Sequence, residues 1–101
     1  MILQYVRKNR KKQGILVSIV EGNEVYIGWS KLCKRDKFNK NFGLGIAIGR
    51  ARKPVVKVIP SMVEPLSRFL IRNKRYYKDK VFANKFIKVD QEGKMIGELE
   101  I

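Results

Sequence analysis

Histidine is absent from this 101-residue chain, cysteine occurs once, at Cys33, and proline occurs three times. Zinc fingers and zinc hydrolases need clustered nitrogen and sulfur ligands, so both are excluded. One cysteine builds no intramolecular disulfide framework, which points to a reducing compartment. No apolar run is long enough to span a bilayer. The opening stretch Met1–Val6 is too short for a signal peptide, and basic residues follow it rather than precede it. A cytoplasmic protein with no membrane contact is expected. Acids are also scarce, at 9 Asp+Glu.

What the chain has in excess is positive charge: 23 Lys+Arg and a formal net charge of +14. Such a charge opposes compaction by self-repulsion, so a polyanionic partner is its natural use. Solubility alone needs far less. With 45% hydrophobic residues the chain still has enough material for a core, unlike a disordered basic tail. Length and composition fit one domain, residues 1–101, without repeats or linkers. The charge is uneven: Val89–Ile101 holds Asp90, Glu92, Glu98 and Glu100 against Lys94 alone. This acidic end is either an edge strand that repels edge-to-edge pairing or a face turned to another protein.

Hydrophobic periodicity predicts an α+β domain in which antiparallel hairpins pack with two helices. Ile2–Val6 reads as a strand, followed by a loop-like basic cluster at Arg7–Lys12. Ile15–Val20 and Val25–Ser30, joined by Glu21-Gly22-Asn23-Glu24, read as a hairpin. Tyr26 and Trp29 fall on opposite faces of their strand. A helix is expected from an Asp36 N-cap to about Arg52, with Phe38, Phe42 and Ile46 on one side and Leu44, Ala47, Ile48 and Ala51 on another, so it should be mostly buried. Gly45 and Gly49 would admit close approach of a strand; a strand at Leu44–Ile48 is the competing reading. Val55–Ile59 reads as a strand. A second helix runs to about Lys78, with Ser61 and Glu64 in a capping-box pattern complicated by Pro65. Phe86–Val89 and Met95–Ile101 form a closing hairpin.

Four basic clusters carry the candidate chemistry. Arg68, Arg72 and Arg75 recur on one face of the second helix, opposite Leu66 and Leu70, with Lys74 and Lys78 widening the stripe and Asp79 as its one balancing acid. Guanidinium forks match phosphate oxygens, and Tyr76 beside them can stack on an unpaired base. Tyr76 should be exposed and Tyr77 buried. Arg7, Lys8, Arg10, Lys11 and Lys12 form the second cluster. Lys34, Arg35 and Lys37, with Lys31 and Lys40, form the third, and Arg50, Arg52 and Lys53 the fourth. Solvated faces are the plain alternative for each. Gly43-Leu44-Gly45-Ile46-Ala47-Ile48-Gly49 does not fit a dinucleotide fingerprint, since the glycine spacing is wrong and no βαβ unit precedes it. Asp79 with Glu92-Gly93-Lys94 only loosely follows a nuclease pattern, because Glu92 and Gly93 read as a turn. No enzyme and no cofactor are expected.

The segment Gly28-Trp29-Ser30, Asp36-Lys37-Phe38, Gly43, Ile46-Ala47 and Gly49-Arg50-Ala51 resembles short bacteriophage proteins in which a hairpin precedes a D-x-F…G…IA-x-G-R-A segment. The resemblance covers about a quarter of the chain, and no catalytic motif attaches to it. It implies a phage origin, hence a host cytoplasm, and a role in host takeover. The expected function is nonspecific nucleic-acid binding through phosphate contacts. Duplex DNA is favoured over RNA or single strands, because cations outnumber plausible stacking aromatics. The alternative is a regulator that binds a host protein through the acidic C-terminal hairpin.

Overall fold

A computed structural model describes residues 1–32 and 37–100. Strand β1 (Ile2–Lys8) pairs antiparallel with β2 (Lys11–Glu21), which pairs antiparallel with β3 (Glu24–Lys31). The basic segment expected as a loop is therefore strand on both sides. Only Asn9 and Arg10 turn, with φ of 52° and 67°. Two successive left-handed residues make the tight turn whose twist matches that of the flanking strands. Arg7, Lys8, Lys11 and Lys12 are held on a hairpin tip rather than on a flexible loop.

Helix α1 (Lys40–Ala51) follows, then β4 (Val55–Val58), α2 (Pro60–Tyr76), β5 (Val81–Phe82), β6 (Lys85–Val89) and β7 (Met95–Glu98). The strands form two sheets, β1-β2-β3-β5 and β4-β6-β7. Both are mixed: β5 runs parallel to β3, and β4 parallel to β6. The α+β class is as the periodicity indicates. The parallel pairings and the two-residue β5 are not legible locally, because α2 supplies the crossover that allows β4 and β6 to align.

Side chains alternating along β2 divide the molecule into three layers. Ile15 and Val17 meet Ala47 of α1, with Leu3, Tyr5, Ile19, Leu44 and Ile48 closing round them. On the other face Leu16, Val25, Ile27 and Trp29 pack with Met62, Leu66, Phe69 and Leu70 of α2, and with Val56, Val58 and Phe86 of the second sheet. Trp29 and Tyr26 lie on opposite faces, as the alternation requires, and the structure buries Trp29 and leaves Tyr26 half-buried.

Four local expectations are corrected. Helix α1 is capped by Asn39, whose Oδ1 accepts from Phe42 N–H, and Asp36 lies outside the described residues. The helix is buried through Ala47 and Ala51 only, whereas Phe42 is 71% exposed. Close approach comes from Gly28 of β3, not from Gly45 or Gly49. A Cβ on Gly28 would lie 1.9 Å from the Ala47 carbonyl oxygen, whereas one on Gly45 or Gly49 would meet nothing within 4 Å. Finally, α2 begins at Pro60, with Ile59 as N-cap and no side-chain cap. Proline at the first helical position is preorganised by its fixed φ and has no N–H to satisfy. Ser61 and Glu64 are thus freed from the capping box. Ser61 Oγ accepts from Lys31 Nζ at 2.7 Å, and Glu64 pairs with Arg68.

Candidate nucleic-acid interface

The hairpin register fixes one end of the molecule. Lys8 and Lys11 face each other there, Lys31 ends β3 beside Gly14, and Leu32 N–H donates to the Gln13 carbonyl at 2.7 Å. Both helices start at this end: Gly43 of α1 abuts Ile15 and Ser30, and Ser61 of α2 bonds Lys31. Unsatisfied N–H groups give each helix N-terminus a partial positive charge. Neither first turn carries an acid. Hairpin cations and two positive helix ends therefore converge on one pole.

Two grooves open there. The first, of about 550 Å³, lies between the β1 end and α2, and is lined by Gln4, Arg7, Lys8, Lys31, Glu64 and Arg68 among others. Arg72 Nη1 donates to Gln4 Oε1 at 2.7 Å along the same flank. The hairpin cluster and the arginine stripe, far apart in sequence, are thus neighbours in space. The second groove, of about 600 Å³, lies on the α1 side, between Leu32, Lys37, Phe38, Phe42, Ile46 and Arg50, and again reaches Lys31. Glu64 is the one acid lining either groove among the described residues.

The remaining site residues divide as follows. Lys37 lines the second groove, while Lys34 and Arg35 lie outside the described residues. Lys12 Nζ sits 4.2 Å from the Tyr5 ring centroid, and Arg7 flanks the same ring at 5.7 Å. Tyr5 packs edge-on against Phe38. Arg75 and Tyr76 stand at the far end of α2, outside the grooves. Tyr76 is 72% exposed, as expected, and meets Tyr77 edge-on at 4.9 Å. Tyr77 is half-buried against the core. The stripe has a second balancing acid besides Asp79, namely Glu64, which occupies Arg68 one turn away.

The fourth cluster is structural. Arg50 stacks 4.0 Å over the Trp29 ring, and its Nη1 donates to the Trp29 carbonyl at 2.9 Å. Burial pushes its pKa down. Arg52 pairs with Glu21 and flanks the Tyr26 ring at 5.8 Å. The phenol of Tyr26 is pushed above its ordinary value because its O–H donates to Glu24. At the Glu21–Glu24 turn, the other end of β2, Glu21 is matched by Arg52, and Lys80 Nζ reaches the Gly22 carbonyl. Asp79 and Glu92 occupy two separate turns. No three potential metal ligands gather among the described residues, and no helix there is long and apolar enough to cross a membrane.

No protein-family model matches the chain, and no curated protein or solved structure is significantly similar to it.

Two cations at the basic pole sit where local physics disfavours them. Arg10 has a positive φ, which costs an L-residue about 1 kcal/mol that Gly does not incur. Lys40 opens α1 at the positive end of its dipole, where an acid would be favoured by roughly 0.5 kcal/mol. Lys40→Glu should therefore raise thermal stability slightly and weaken binding to polyanions. A variant that loses stability, or binds heparin as tightly as the parent, contradicts this account of Lys40.

Proposed function

We propose that the chain is a non-enzymatic nucleic-acid-binding protein that grips phosphates through its basic pole. The observation that carries the reading is the convergence of the hairpin tip, both helix N-termini and Lys31 on one end, with a single acid among the described residues that line the adjoining grooves. Backbone contacts position a polyanion without reading sequence, and no base-reading module is recognisable among the described residues. Binding should therefore be nonspecific and strongly salt-dependent. Each phosphate contact releases counterions and contributes roughly 0.9 to the slope of log affinity against log salt. Replacing Arg7, Lys8 and Lys11 together by Gln should flatten that slope by about 2–3 units. An anisotropy titration of a labelled oligonucleotide across a salt series measures it, and an unchanged slope defeats the assignment.

A second reading has one observation in its favour. Strand β7 is an edge of the second sheet, and Met95 and Ile96 on it are 54% and 63% exposed beside Glu98. Glu98 is paired with Lys85 at 2.8 Å, so the exposed Met95 and Ile96 are what this edge offers a partner, in keeping with a phage regulator of a host protein. Stoichiometric retention of one host protein from nuclease-treated lysate, abolished by Ile96→Asp, would favour it.

A further inference from the structure

We infer that the groove on the α1 side binds unpaired nucleobases, Phe42 being the stacking platform, so that the preferred partner is single-stranded nucleic acid. This rests on the nucleic-acid reading above and refines it. A count of few free aromatics favours a duplex, and spacing alone places Phe42 on a buried side of its helix. The structure leaves its ring 71% exposed in the first turn of α1. The helix can bury only one face against β2 and β3, and the Gly43–Ala47–Ala51 side occupies it. Phe42 therefore stands on the wall of a concave groove of about 600 Å³.

That groove has the two-part chemistry that unpaired strands require. Phe38, Phe42 and Ile46 offer apolar and π surface, and Lys31 and Lys37 line the same hollow beside Arg50, which is held over Trp29. A base has a π face whatever its identity, so stacking is sequence-tolerant, while cations at the rim follow the backbone. The described lining pairs apolar side chains with Lys31 and Lys37, which suits a polyanion rather than a second copy of this +14 chain. Bases held in a duplex stack on one another and do not present their faces to such a wall. Lys31 belongs to both grooves, so a strand seated here continues towards Arg7 and Lys8.

The test compares oligothymidylate, an abasic oligomer of the same backbone length and a duplex, each labelled, against the full chain and Phe42→Ala at one salt concentration. The parent should bind oligothymidylate more tightly than the abasic strand. Phe42→Ala should weaken oligothymidylate binding about 10–100-fold and leave abasic and duplex binding within about twofold. Phe42→Trp should restore it. Since Phe42 is exposed, unfolding midpoints of the variants should match the parent. Equal affinity for all three probes, unaffected by Phe42→Ala, overturns the inference and leaves the phosphate-binding reading intact. No binding to any probe at low salt overturns both. A parent that sediments as a dimer, which Phe42→Ala dissociates, assigns the groove to self-association and overturns the inference.

Discussion

Gly28→Ala should cost the protein about 3 kcal/mol or more of stability, a loss measurable by chemical denaturation with Trp29 fluorescence as the probe. The added methyl would stand 1.9 Å from the Ala47 carbonyl oxygen and 2.6 Å from the Ala51 backbone nitrogen. Both are helix backbone, so no side chain can swing aside. Helix α1 must lift from β3 as a unit. Lifting it would loosen Ala47 from Ile15 and Val17, and draw Arg50 from its place over Trp29. Gly45→Ala, two positions before Ala47, is the internal control. A Cβ there meets nothing within 4 Å, and the helix gains up to about 1 kcal/mol from the better helix former. Opposite signs at Gly28 and Gly45 are the expected result. A loss under about 1 kcal/mol at Gly28 would mean that the α1–β3 contact is looser than the structure has it.

Asn84→Ala should be nearly as damaging, at roughly 3 kcal/mol. Beyond its pairing with β5 at Glu24 and Val25, strand β3 has no strand on its outer edge among the described residues. Its polar backbone groups there are met by side chains. Asn84 Oδ1 accepts from Ile27 N–H at 2.7 Å, and Asn84 Nδ2 donates to the Ala51 and Lys53 carbonyls at 2.8 Å each. Arg50 serves the Trp29 carbonyl in the same way. One buried amide thus ties β3 to the end of α1 and the turn before β4. Alanine would leave a buried donor and its neighbouring acceptors without partners, and each such loss costs about 1–3 kcal/mol. Asn84→Asp adds a pH signature. A buried carboxylate facing two carbonyls has its pKa raised, so the protonated form, which can still donate, is the stable one. Stability of that variant should therefore be best at low pH and fall as pH rises through the raised value. A flat pH profile, or an alanine variant as stable as the parent, would remove Asn84 from this role.

How much of this was legible beforehand depends on the range of the interactions involved. The β2–β3 hairpin, the amphipathic α2 and the closing β6–β7 hairpin follow from alternation and helical spacing, because each element has one face to bury and its pattern records that face. The placement of Trp29 and Tyr26 on opposite faces, and the exposure of Tyr76, follow from the same periodicity. The charge excess is read from composition alone and bears on partners rather than on fold.

The tertiary structure decided the rest. The sequence offers α1 more apolar residues than one helix face can bury, and spacing alone cannot say which arc wins. The absent side chain at Gly28 lets the small-residue side of α1 settle against the sheet, and Phe42 is left outside. Asn84 has no local pattern at all, since its partners lie more than thirty positions away along the chain or across the sheet. Clusters at Arg7–Lys12 and Arg68–Arg75 are visible as charge, but only folding sets Arg7 and Lys8 in one groove with Arg68, assigns Arg68 to Glu64, and sends Arg75 and Tyr76 to the other end of α2. Local sequence determines which face of an element is wet. The opposing surfaces, brought together by long-range packing, determine which of those wet residues share a site.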